Sequence, residues 1–146
     1  MTDQILSPEN VRIVPGGATR DEAIRSAGRL LVDAGAVDQA YVDSMLDRES
    51  TVSTYMGNWL AIPHGTNEAK DLIRKSALTL QRYDEPIDWG GEPARFVVGI
   101  AGLGDEHLEI LSKIAIVFSD EEQVNTLLSA GSSEELHALL SEVNES

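Results

Sequence analysis

Arg95 to Ala101 (RFVVGIA) restricts the architecture more than any other stretch of this chain. After the arginine it is apolar without interruption. A strand with one face in water alternates apolar and polar residues, whereas a strand apolar at every position must be covered on both faces. The run therefore reads as a central buried strand, ended by Gly102 and Gly104. Such a strand needs helices on both sides of its sheet, and the chain supplies them. Thr19-Arg20-Asp21-Glu22 is a capping box that opens a helix with Ala23, Ile24, Ala27, Leu30 and Leu31 on its apolar face and Gly35 at its stop. Asp38 can cap a second helix to about Glu49, with Tyr41, Val42, Met45 and Leu46 facing inward. Asp105 can cap a third, Ser119 or Asp120 starts a fourth, and Ser132-Ser133-Glu134-Glu135 opens the last.

The remaining segments read as strands and turns. Asn10 to Val14 is a short strand ended by Pro15-Gly16-Gly17, and Ser76 to Gln81 alternates as a strand does. Thr51 to Ile62 reads as two short strands around Gly57-Asn58, interrupted by Pro63-His64-Gly65, after which 66–74 suits a short helix. Residues 84–92, with Pro86 and Gly90-Gly91, read as a loop or hairpin. The expectation is an α/β fold: a mixed β-sheet of about five strands sandwiched between helical layers, in a single domain.

A chain of 146 residues suits one domain. Its 42% hydrophobic content argues against disorder. Without cysteine it has no disulfide, thiol nucleophile or thiolate metal site. No apolar run approaches the roughly 20 residues that span a bilayer, and residues 1–10 lack the features of a secretory signal, so the expected compartment is the cytoplasm. The net charge is -14, from 25 acidic and 11 basic residues. That balance disfavours nucleic acid and anionic membrane surfaces. It suits either a basic protein partner or solubility alone. There is no Walker phosphate loop and no dinucleotide glycine fingerprint, and no histidine pair has helical metal-ligand spacing.

Three histidines carry the chemical possibilities. His64 follows the apolar strand-like Leu60-Ala61-Ile62, and Pro63 biases Ile62 to an extended conformation. The ring is expected at a strand end beside a helix N-terminus near Thr66, where free N–H groups and the helix dipole favour an anion. An imidazole there is a nucleophile at neutral pH, or merely a residue that ends a strand and caps a turn. His107 follows the turn Gly102-Leu103-Gly104 into the first turn of a helix. Both histidines thus sit where a strand end meets a helix start, and sites of α/β sheets form at carboxyl ends of strands. Arg48, near the end of the second helix, either offsets charge on a transferring phosphoryl group or balances the helix dipole and pairs with Asp47 or Glu49. His137, among glutamates in the last helix, reads as a solvated surface residue. Trp59 and Trp89 read as packing or interface anchors, and Asp84, Glu85 and Asp88 as a solvated loop.

Glu49 to Lys70 (ESTVSTYMGNWLAIPHGTNEAK) resembles the active-site signature of enzyme IIA domains of the mannitol/fructose class of the phosphotransferase system (PTS). In that signature an acidic or amide residue is followed, after six positions, by an aliphatic and a small residue. A strand ending Ala-aliphatic-Pro-His-Gly comes next. Glu49, Met56, Gly57, Ala61, Ile62, Pro63, His64 and Gly65 fill it without departure. Met45-Leu46-Asp47-Arg48-Glu49 and the pair Val98–Ala101 with Glu106-His107-Leu108 extend the likeness. The resemblance covers about residues 5 to 143 and implies one enzyme IIA domain over 1–146, with an ordered core of about 5–143.

The resemblance implies a role for each matched residue. His64 would be phosphorylated, at Nε2 (a tele-phosphohistidine), His107 would hydrogen-bond the phosphoryl group, and Arg48 would supply positive charge. The donor would be phosphorylated HPr, and the acceptor a cysteine of an enzyme IIB associated with a membrane IIC. The chain would be a phosphotransferase component with no metal or organic cofactor. Leu60, Ile62 and Leu103 are candidates to line an apolar depression around the ring. Thr66 and Asn67-Glu68-Ala69-Lys70 lean by resemblance toward mannitol. The alternatives are a fructose-specific enzyme IIA, a regulatory nitrogen-type enzyme IIA that binds target proteins, and a metal-dependent hydrolase using His64, His107 and nearby carboxylates.

Overall fold

A computed structural model describes residues 6, 10–51, 53–65, 71–103 and 106–140, with backbone alone at 51, 106 and 107. The strands are β1 (Val11–Val14), β2 (Tyr55–Gly57), β3 (Leu60–Ala61), β4 (Ala77–Trp89) and β5 (Glu92–Ala101). The helices are α1 (Arg20–Asp33), α2 (Gln39–Thr51), α3 (Glu106–Phe118), α4 (Glu121–Ser129) and α5 (Ser133–Leu139). The five strands form one sheet in the order β1-β4-β5-β3-β2. β1 runs parallel to β4 and β3 parallel to β5, whereas β4–β5 and β2–β3 are antiparallel.

The apolar run does what its composition requires. Phe96, Val98 and Ile100 of β5 pack with α3, α4 and α5 through Ile110, Ile114, Leu127 and Leu136. Val97 and Ala101 pack on the opposite face with Ala23, Ile24, Ala27 and Leu31 of α1 and Tyr41 and Met45 of α2. Successive residues of a strand point to opposite faces, so β5 feeds both cores.

The helices begin where their caps predict. Thr19 Oγ1 accepts from the Glu22 N–H at 3.2 Å, and Glu22 Oε1 accepts from the Thr19 N–H at 3.0 Å, closing the capping box. Asp120 caps α4 and Ser132 caps α5. Asp105 lies outside the described residues. Arg82, buried in β4, donates from Nη1 to the carbonyls of Leu127, Leu128 and Ala130 at 2.9, 3.2 and 2.7 Å. It thereby adds a donor at the end of α4, where the last carbonyls lack the usual helical partners; the Leu127 carbonyl also accepts from the Ala130 N–H at 3.3 Å.

Of the two readings of residues 84–92 the hairpin holds and the loop does not: β4 continues to Trp89, and a two-residue turn at Gly90-Gly91 leads directly into β5. Both glycines have positive φ, 65° and 95°, as the tight hairpin turns that match strand twist require. Pro86 is accommodated because the ladder is irregular between Arg82 and Ile87, and proline within sheets belongs at such breaks. The helix expected over 66–74 falls partly outside the described residues. Its described end is not α-helical, because Ile73 forms an antiparallel bridge with Val37 and the Arg74 N–H bonds the Ala36 carbonyl. His137, finally, is not a purely solvated residue. It is partly buried, and its Nε2 lies 2.9 Å from the carbonyl oxygen of Leu6, a core residue 131 positions away.

Candidate functional site

The chain carries His64 three residues past the end of β3. The Ile62 N–H donates to the Thr54 carbonyl at 3.0 Å, which lengthens the β2–β3 ladder. On the other side the Ile100 N–H donates to the Pro63 carbonyl at 3.3 Å, and His64 forms a parallel bridge with Ile100. Residues 62–64 thus track β5 to its carboxyl end, the region where α/β sheets build sites.

The ring is held by its own backbone. His64 Nδ1 lies 2.9 Å from the Ile62 carbonyl oxygen. A carbonyl only accepts, so Nδ1 carries the proton, and in the neutral ring Nε2 carries the lone pair. Burial pushes the imidazole below its ordinary pKa of 6.5. The bond to Ile62 pulls it partly back, the Arg48 guanidinium lowers it, and the Glu49 carboxylate raises it. The ring is half-buried rather than enclosed. In its neutral form such a ring has the chemistry of a nucleophile at Nε2.

Helix α2 braces this segment at two points. Tyr41, 2% exposed, uses one hydroxyl twice: it accepts from the Gly65 N–H at 2.9 Å and donates to the Ile100 carbonyl at 3.0 Å. Burial raises its pKa, which keeps the hydroxyl proton available for donation. Gly65 fits only because it lacks a side chain, since a Cβ would run into the Tyr41 ring and lie 2.6 Å from Ser44 Oγ. At the other end of α2, the buried Glu49 carboxylate accepts from the Thr54 N–H at 3.0 Å and from the Thr54 hydroxyl.

Arg48 is half-buried in the last turn of α2, within electrostatic reach of the ring. His107 occupies the first turn of α3, which starts after residues 102–105 follow the end of β5, the strand whose Ile100 pairs with His64. Its side chain lies outside the described residues, as does the helix start expected at Thr66. Leu60 and Ile62 are each 2% exposed and belong to the core on the α3–α5 side, so they do not form an open rim; Leu103 is 38% exposed. Among the described residues, no group of three or more His, Cys, Asp or Glu is placed to hold a metal ion. No described helix is long and apolar enough to cross a membrane.

Sequence reasoning missed Tyr41 and Thr54. A tyrosine on a buried helix face needs a partner for its hydroxyl, which was the available signal for Tyr41. Thr54 left none, since it falls among the six unspecified positions between Glu49 and Met56.

Residues 4–143 match the family described as phosphoenolpyruvate-dependent sugar phosphotransferase system, EIIA 2. The chain belongs to this family. As an enzyme IIA it is a phosphotransferase component. It is 52% identical over 145 residues to the mannitol-specific phosphotransferase enzyme IIA component of Halalkalibacterium halodurans, covering 99% of this chain and 100% of that one. The crystal structure of IIA mannitol from Escherichia coli superposes with a TM-score of 0.84 at 39% identity, covering 92% of this chain and 97% of that chain. The enzyme IIA in the E. coli complex of mannitol IIA with phosphorylated mannitol IIB superposes with a TM-score of 0.85 at 38% identity, covering 92% and 95%. The five-stranded mixed sheet between helical layers is the fold of the enzyme IIA from E. coli.

Proposed function

We propose that this enzyme IIA is a mannitol-type phosphoryl carrier of the cytoplasm, a single domain that takes a phosphoryl group from phospho-HPr on His64 Nε2 and delivers it to an enzyme IIB associated with a membrane IIC. The observation that carries this reading is the Nδ1 contact with the Ile62 carbonyl, which puts the proton on Nδ1 and the lone pair on Nε2 of a half-buried ring. The mannitol assignment rests on the 52% identical relative and on the two superposed E. coli mannitol structures.

In the loading step the Nε2 lone pair attacks phosphorus, and the bond from phosphorus to the donor breaks as the new P–N bond forms. In the unloading step a cysteine thiolate of enzyme IIB attacks in line, and His64 departs as the neutral Nδ1–H imidazole with which the cycle began. Such transfers depend on alignment and charge compensation more than on covalent help. Arg48 supplies positive charge and His107 a hydrogen bond to the phosphoryl oxygens. Partial burial of the ring limits access of water to the phosphoramidate.

The test is incubation with enzyme I, HPr and phosphoenolpyruvate, followed by intact mass and then by addition of a mannitol-type enzyme IIB. One acid-labile phosphoryl group is expected, absent in His64→Ala and discharged by IIB. A mass gain that persists in His64→Ala removes the site, and a loaded protein that this IIB does not discharge removes the mannitol assignment in favour of a regulatory or fructose-type role. Onward transfer slows in Arg48→Ala and His107→Ala; wild-type rates there exclude those two side chains.

A further inference from the structure

Glu49 is 4% exposed in the last turn of α2, where the helix dipole disfavours a negative charge. Burying a carboxylate is costly unless it is hydrogen-bonded. Both hydrogen bonds described for this one come from a single residue, Thr54, through its N–H and its hydroxyl. Thr54 is itself buried, and its carbonyl accepts from Ile62. Ile62 in turn offers its carbonyl to His64 Nδ1. The path from carboxylate to imidazole is thus a continuous run of bonds: Glu49 to Thr54, Thr54 to Ile62, Ile62 to His64.

The path matters because of what it reinforces. On its outer side the His64 segment is held by β2, an edge strand of three residues with an irregular register against the two-residue β3. So short a ladder fixes a backbone weakly. Glu49 fastens its open end to a thirteen-residue helix that is packed into the core. We propose that Glu49 is a positioning residue for phosphoryl transfer, acting through Thr54 and Ile62 to fix the tautomer and aim of His64. The proposal rests on His64 as the phosphorylated residue. It differs from the Arg48 and His107 assignments in that Glu49 acts through the backbone of Thr54 and Ile62 rather than on the phosphoryl group.

The test compares Glu49→Leu, Glu49→Gln, Thr54→Val and Thr54→Ser in the full chain, by steady-state transfer from phospho-HPr and by 15N NMR of the His64 ring. Misplacement of a reacting group by about 1 Å costs on the order of 100-fold in rate. Glu49→Leu is expected to lower kcat by about 10- to 100-fold with KM for phospho-HPr unchanged, because the docking surface is untouched. Its ring shifts move from the Nδ1–H form toward a tautomer mixture. Glu49→Gln, which keeps one acceptor, falls between Leu and wild type, Thr54→Val loses rate in the same sense, and Thr54→Ser restores it. If Glu49→Leu does not fold, the Thr54 pair decides. Wild-type kcat and ring shifts in folded Glu49→Leu, or in Thr54→Val, overturn the proposal. The wild-type mass gain and its loss in His64→Ala test the phosphorylation site separately, so failure of one is not failure of the other.

Discussion

Gly65→Ala adds one methyl group beside His64, and the structure sets its consequence. The new Cβ would press on Tyr41 Cε1, 2.8 Å from Tyr41 Cζ and 2.6 Å from Ser44 Oγ. Non-bonded carbons settle at about 3.5–4.0 Å, so the Tyr41 ring has to retreat by roughly 1 Å. That ring is buried, and overfilling a packed site costs about 1–3 kcal/mol. Its retreat also strains or breaks two hydroxyl bonds, to the Gly65 N–H and the Ile100 carbonyl, each contributing about 1 kcal/mol. The sum is about 3–5 kcal/mol. At roughly 2–4 °C per kcal/mol for a domain near this size, Tm falls by about 6–20 °C. Calorimetry of Gly65→Ala beside Tyr41→Phe separates the parts: the phenylalanine keeps the ring and loses only the hydroxyl, at about 1–3 kcal/mol. A Gly65→Ala protein melting within about 1 °C of wild type would refute the close-packing argument.

Two further perturbations follow from the same geometry. Because burial holds the His64 pKa below 6.5, the folded state binds fewer protons than the unfolded state as pH falls through that value. This residue therefore leaves stability unaffected above about pH 6.5 and lowers it on the acid side. NMR titration should give a His64 midpoint below 6.5, and His64→Gln should flatten that part of the stability curve; a midpoint at or above 6.5 contradicts the assignment. Arg82→Ala removes the donor from three carbonyls at the end of α4, of which Leu127 keeps the Ala130 N–H, and should cost about 2–4 kcal/mol, read as a lower urea midpoint with an unchanged m-value. A cost below about 0.5 kcal/mol means that water replaces the guanidinium.

Local chemistry was legible in the sequence where it acts locally. Thr19, Asp120 and Ser132 announce their helices because a cap is a contact within three residues. The unbroken apolar run of β5 announces a sheet covered on both faces. The far half of β4 was not legible, because Asp84, Glu85 and Pro86 carry the composition of a loop. They are exposed there, so nothing selects apolar residues. The placement of His64 at a strand end followed from Ile62-Pro63-His64-Gly65, but the bonds that hold it there did not. Tyr41 reaches Gly65 across 24 positions and Ile100 across 59, and His137 reaches Leu6 across 131. Periodicity and propensity carry no trace of such pairings. Glu49 was visible as a position in a signature, without a reason for its being there. The reason lies in the fold, where Thr54 turns back onto the helix it has just left.

The acceptor that orients the His64 imidazole belongs to the main chain, and a main-chain oxygen cannot be lost by substitution. Any aliphatic side chain at position 62 offers the same carbonyl to Nδ1. The protonation pattern on which the chemistry depends is therefore insulated from drift in the residue that supplies it. Only a change in the path of the backbone, through an insertion or deletion between 54 and 64 or the loss of Pro63, releases the ring. A lineage that abandons phosphoryl transfer while keeping this histidine should carry its earliest scar there.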